Sequence, residues 1–158
     1  MKKISTLFIL LCFPLVLLAQ LCGKVIGVSD GDTFTLLTED NRQVKIRLHG
    51  IDCPEKNQDF GQKAKQFTSD AVFGQFVCVE EKDIDRYGRT IGIVKYDGKI
   101  LNEELLAAGL AWHYTKYDKS QRLAELERRA RSEKAGLWIQ PEAIAPWDFR
   151  HPAKAQAH

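Results

Sequence analysis

From Leu21 to Tyr96 the apolar residues of this chain fall into short runs broken by turn residues, which allows only short strands and leaves room for a single helix among them. Residues 21–28 and 33–37 read as strands on either side of the turn Asp30-Gly31-Asp32, and Asn41 closes a hairpin. Gln43–Leu48 places Val44, Ile46 and Leu48 at every second position, the period of a half-buried strand, so Arg47 faces away from Ile46 towards a cleft or solvent. Residues 76–79 and Thr90–Tyr96 read as two more strands. A charged loop over residues 80–89 joins them, and Asp97-Gly98 makes a tight turn after the second.

Helical spacing occurs in three places. Phe60, Ala64, Phe67, Ala71 and Val72 predict a helix over residues 60–73 that ends near Gly74. Asn102 is expected to cap a short helix that runs through Ala108 to Gly109. A longer helix over about residues 120–134 carries Leu123, Leu126 and Ala130 on one face and stops at Gly136. From Pro141 onwards, with Pro146 and Pro152, the periodicity is lost, and residues 141–158 are expected to form an extended tail. The fold class expected is α+β: one domain over residues 20–140, a five-stranded β-barrel of the oligonucleotide-binding (OB) type packed with three α-helices.

Residues 1–19 differ from the rest. Lys2 and Lys3 precede an apolar run over residues 7–18, and Leu17-Leu18-Ala19 offers a cleavage site, the layout of a signal peptide. The run falls short of the roughly twenty residues a membrane-spanning helix needs. An exported protein, secreted or periplasmic, is expected. Leu21 stands before Cys22 where a lipoprotein needs a small residue. Without the two leader lysines the chain is formally neutral, with 21 basic residues against 21 acidic ones. That balance disfavours tight nonspecific binding of nucleic acid as an end in itself and suits an enzyme that releases its products.

Of the cysteines, Cys12 would leave with the leader. The pairing expected is Cys22 with Cys78, both in predicted strands, which leaves Cys53 as the free thiol. The sequence has no CxxC pair and its four histidines are scattered, so a zinc site is excluded.

The polar residues point to chemistry. Asp32 and Asp52 sit in turns where a carboxylate can reach into a cleft, and with a backbone carbonyl they suit a hard cation such as Ca²⁺. Glu55, on the same loop as Asp52, can orient or deprotonate a water. Arg47 and Arg89 can grip one phosphate from two sides, and Tyr87, Tyr114 and Tyr117 can stack on a base or contact a phosphate. Any one of these residues alone is ordinary turn or surface chemistry; together they describe a metal-dependent phosphodiesterase.

Asp30-Gly31-Asp32-Thr33, Arg47-Leu48, Gly50-Ile51-Asp52, Pro54-Glu55, Asp85-Arg86-Tyr87-Gly88-Arg89, Leu101-Asn102-Glu103 and Gly109-Leu110-Ala111 resemble the staphylococcal-nuclease family, the thermonucleases or micrococcal nucleases. The likeness runs over residues 23–138. It implies a monomeric endonuclease of the same barrel that hydrolyses DNA and RNA with Ca²⁺ and little sequence preference, leaving 3′-phosphate ends. By position, Asp32 and Asp52 would bind Ca²⁺ with the backbone carbonyl of Cys53, Glu55 would act on the water, and Arg47 and Arg89 would hold the scissile phosphate. Cys53 departs from the family's threonine, but a backbone contact survives that change. The rival expectation is a noncatalytic nucleic-acid-binding module of the same fold, and the retention of all five charged residues weighs against it.

Overall fold

A computed structural model describes residues 20–151; the expected signal peptide lies outside the described residues, as do residues 152–158. The elements are β1 (Leu21–Asp30), β2 (Thr33–Thr38), β3 (Gln43–Leu48), β4 (Ile51–Asp52), α1 (Gly61–Val72), β5 (Phe76–Ile84), β6 (Thr90–Tyr96), β7 (Lys99–Ile100), α2 (Leu101–Ala107), β8 (Trp112–His113), α3 (Gln121–Ser132) and α4 (Pro146–Phe149). A 3₁₀ turn covers Gly136–Ile139.

Strands β3, β2, β1, β5 and β6 lie side by side in that order. Parallel pairing of β3 with β6, Ile46 opposite Thr90 and Leu48 opposite Gly92, closes them into the five-stranded barrel expected. β1 runs along β2 from Gly23 to Asp30 and along β5 only through Leu21–Lys24, with register shifts against β2 after Val25 and after Val28. Such bulges sharpen the local twist, so one strand can turn a corner of the barrel. Inside, Val25, Phe34, Leu36, Ile46, Val77 and Val94 are buried, and Leu101, Leu105 and Leu106 of α2 pack into the same core. Trp138 joins a second cluster with Ala130 and Leu137.

Cys22 and Cys78 face each other across β1 and β5 and form the disulfide expected, while Cys53 is free and buried. Among the described residues no helix is long and apolar enough to cross a membrane.

Three local expectations are corrected. β5 continues to Ile84, so half of the expected charged loop is strand: its backbone pairs with β6 although its side chains there are exposed. Asn102 is not a cap. β7 feeds straight into α2, whose first residue is Leu101, and Asn102 is buried inside the helix. The segment from residue 141 to residue 151 is not simply extended. Pro146 occupies the first turn of α4, where its fixed φ is favourable and its missing N–H costs nothing. This is a fourth helix beside the three expected.

Candidate active site

The β1–β2 turn, the end of β3, and β4 with the loop after it bring their polar residues together beside the barrel. The turn fits only because residue 31 is glycine: a Cβ there would lie 2.7 Å from the Ala64 Cβ and 2.9 Å from the Cys53 Sγ. The Asp32 carbonyl accepts from the Leu48 N–H at 2.9 Å, fixing the turn to the end of β3.

Asp32 is 3% exposed and Asp52 fully buried. Arg47 joins them, donating from Nη1 to Asp32 Oδ1 at 3.0 Å and from Nη2 to Asp52 Oδ1 at 2.6 Å. Asp32 Oδ1 also accepts from the Thr33 hydroxyl at 2.9 Å, and its Oδ2 from the Cys53 N–H at 2.9 Å. Burial works against the charge of Arg47, but Asp32 and Asp52 outweigh it and hold the guanidinium protonated above the usual arginine value. Burial raises Asp52 above the ordinary carboxylate range; nearby Asp32 adds to the rise, and hydrogen bonding from Arg150 and the charge of Arg47 oppose it. Asp30, half-buried beside them, is raised by burial and then by repulsion from Asp32 and Glu55.

Glu55 lies on the loop after β4, its N–H bonded to Gln58 Oε1 at 3.1 Å. Its carboxylate accepts from Arg150 Nη1 at 2.5 Å, while Arg150 Nη2 reaches Asp52 Oδ2 at 2.6 Å. Arg150 follows α4 and no local pattern marks it as a site residue; Pro146 at the helix start is the one signal that this stretch folds.

Arg89 does not join this network. It stays within its own turn, with Nη2 2.6 Å from Asp85 Oδ2, and Asp85 also accepts the Arg89 N–H. Burial opposes the charge of Asp85, but the bonds from Arg89 and Tyr87 hold its carboxyl below the usual range. Tyr87 is 69% exposed at the tip, with the guanidinium groups of Arg86 and Arg89 4.9 and 5.5 Å from its ring centroid. Tyr114 and Tyr117 form a separate pair after β8, edge to face with centroids 4.8 Å apart. Tyr114 also stacks on Trp147 of α4, beside a cleft of about 360 Å³ lined by both rings, Lys116 and His151.

The carboxylates supply oxygen donors only, and Asp30, Asp32, Asp52 and Glu55 outnumber Arg47 and Arg150, so the donor set fits a hard cation. Cys53 can add its backbone carbonyl but not its sulfur: burial, then Asp32 and Asp52, pushes the thiol up and keeps it neutral. Among the described residues no three His, Cys, Asp or Glu side chains stand assembled as a metal cluster, and here guanidinium groups take the carboxylate oxygens instead.

The model of the staphylococcal nuclease homologues matches residues 45–140, which hold Arg47, Asp52, Glu55 and Arg89. A micrococcal nuclease of Shigella flexneri is 40% identical over 148 residues, covering 86% of this chain and 84% of the relative. Uncharacterized endonucleases of Haemophilus influenzae and Escherichia coli O157:H7 are 39% and 37% identical, covering 83% and 95% of this chain and 74% and 97% of their own length. With most of its length aligned to these relatives and its barrel closed as described, the chain belongs to the family of staphylococcal nuclease homologues.

Proposed function

We propose that the protein is an exported, Ca²⁺-dependent endonuclease that hydrolyses DNA and RNA as a monomer, with little sequence preference, and leaves 3′-phosphate ends. The carrying observation is Arg47, held between two buried carboxylates with Glu55 on the adjoining loop, in a chain whose relatives include a micrococcal nuclease. Export is supported by the leader pattern of residues 1–19.

Asp32, Asp52 and the backbone carbonyl of Cys53 would hold the cation. When bound, Ca²⁺ supplies positive charge to a phosphate oxygen. Glu55 takes the proton from the attacking water as the water oxygen bonds to phosphorus, and the bond to the 5′ oxygen breaks, that oxygen leaving as a hydroxyl with a proton from solvent. Arg47 is positioned in advance by Asp32 and Asp52, so its charge meets the developing charge on phosphate with little reorganisation. Arg89, on the separate β5–β6 turn, leaves Asp85 to grip the phosphate from the other side. Tyr87 and the Tyr114–Tyr117 pair offer rings to flanking bases.

Release of acid-soluble nucleotides from single-stranded DNA tests this reading. Activity should need Ca²⁺, vanish with chelator and fall by several orders of magnitude in Glu55→Gln. DNA bound but uncleaved by the intact protein with Ca²⁺ would favour the noncatalytic binding module.

A further inference from the structure

The C-terminal segment does more than cover the barrel. It is fastened twice to the loop that follows Glu55: Gln140 Nε2 donates to Asp59 Oδ2 at 2.8 Å, and Gln58 Nε2 to the Ile144 carbonyl at 2.6 Å. Ala145 and Pro146 are buried. Trp147 stacks on Tyr114 with centroids 5.0 Å apart and planes 10° apart, and meets Trp112 edge-on at 5.7 Å. These contacts aim the next side chain but two, Arg150, at the site.

Arg150 spreads its two terminal nitrogens over two different carboxylates. One goes to Asp52 Oδ2 and the other to Glu55 Oε1, with a longer approach of 3.4 Å to Asp52 Oδ1. The pairing spans 98 residues of sequence, and the side chain is only 34% exposed. Ca²⁺ would need the same oxygens, at about 2.3–2.6 Å. A guanidinium already bonded to them blocks that approach and adds like charge. Arg47 leaves Asp52 Oδ2 free; Arg150 takes it.

We infer that Arg150, delivered by α4, is a built-in competitor for the cation, so that Ca²⁺ binds Asp52 only when the C-terminal segment lifts its guanidinium away. The inference rests on the Ca²⁺ reading above. The apparent affinity for the cation is then the intrinsic one reduced by the fraction of molecules with Arg150 withdrawn. The length of the arginine and the anchoring of Trp147 both set that fraction. A mere long-range effect of charge would depend on neither.

Calorimetric titration of the mature protein with Ca²⁺, without substrate, tests this. Arg150→Gln is expected to bind Ca²⁺ at least tenfold more tightly. Trp147→Ala, which leaves every charge in place, and Arg150→Lys, which keeps the charge but loses the two-armed bridge, should each tighten binding by a smaller factor. Tightening by Arg150→Gln alone, with the other two like the unaltered protein, would reduce the effect to charge and overturn the inference. Unchanged affinity in all three overturns it as well and leaves the Ca²⁺ reading intact. Failure of every form, the unaltered protein included, to bind Ca²⁺ would overturn both.

Discussion

Asn102 donates from its side-chain amide to the backbone carbonyl of His49 at 2.9 Å, a bond between residues 53 positions apart. The same amide approaches the Gly92 carbonyl at 3.3 Å, and its oxygen accepts from the Val94 N–H at 3.0 Å. One buried side chain thereby ties α2 to β6 and to the corner that leads from β3 into β4 and Asp52. Asn102→Ala removes the partner of the His49 carbonyl and of the Val94 N–H, while the Gly92 carbonyl keeps the His49 N–H at 2.8 Å, and should cost about 2 kcal/mol or more in urea unfolding. Asn102→Asp should not rescue it, because a carboxylate has no donor for His49 and Gly92. Stability equal to the parent in either variant would contradict the bridging role.

Gly31 is the second tight point. Gly31→Ala pushes a methyl into the Ala64 Cβ and the Cys53 side chain, at 2.7 and 2.9 Å. Overpacking of this kind costs about 1–3 kcal/mol, and the displaced neighbour is Asp32, so nuclease activity should fall more than stability alone explains. Adding Ala64→Gly removes the closest contact and should recover part of both losses, less the ~1 kcal/mol that glycine costs inside a helix. No recovery in the double variant would mean that the contact is not the cause.

Cys53 is expected to be dispensable as a thiol. Its backbone N–H holds Asp32, and burial, together with Asp32 and Asp52, keeps the sulfur protonated. Cys53→Thr should retain Ca²⁺-dependent activity, at a cost of about 1 kcal/mol for placing a hydroxyl in a buried position. A tenfold loss of activity would show that the sulfur matters.

Most of the barrel was legible because its signals are local. The Asp30–Asp32 turn, the alternation of Gln43–Leu48 and the strand positions of Cys22 and Cys78 each depend on a few neighbouring residues. The grouping of Arg47 with Asp32 and Asp52 follows from the end of β3 meeting the β1–β2 turn. What was misread depends on distant partners. Asn102 has the local look of a cap, and only the entry of β7 into α2 turns it into an interior bridge. The charged end of β5 has no apolar alternation, since backbone pairing with β6 holds it. Arg150 meets carboxylates that lie far away in sequence, so no local pattern marks it.

The Cys22–Cys78 disulfide links positions separated by 56 residues. Closing a loop of that length removes unfolded-state entropy worth up to about 4 kcal/mol. The double variant Cys22→Ser/Cys78→Ser should lose about 2–4 kcal/mol in denaturant unfolding while keeping kcat at ambient temperature, because the bond joins the start of β1 rather than the turn at its end. A loss of kcat in the folded variant would couple this end of the barrel to the site.

Asp118 ties together His113 of β8, which pairs with β4, and His49, which precedes β4. Its Oδ1 lies 2.9 Å from His113 Nε2 and accepts the Ser120 N–H at 2.8 Å, while its Oδ2 lies 3.3 Å from His49 Nε2. Burial opposes its charge, but the Ser120 N–H and then His113 and His49 more than offset this and hold the carboxyl below its ordinary 3.8. A depressed folded pKa means that the unfolded chain binds the proton more readily. The stability contributed by the charge is therefore fully present above pH 3.8 and is lost as pH falls through the lower folded value. Asp118→Asn should be less stable than the parent by about 1–3 kcal/mol near neutral pH. The gap should close in acid below pH 3.8, followed by urea unfolding at a series of pH values. A gap that stays constant through that range would place the contribution in packing and neutral hydrogen bonds, not in the charge of Asp118.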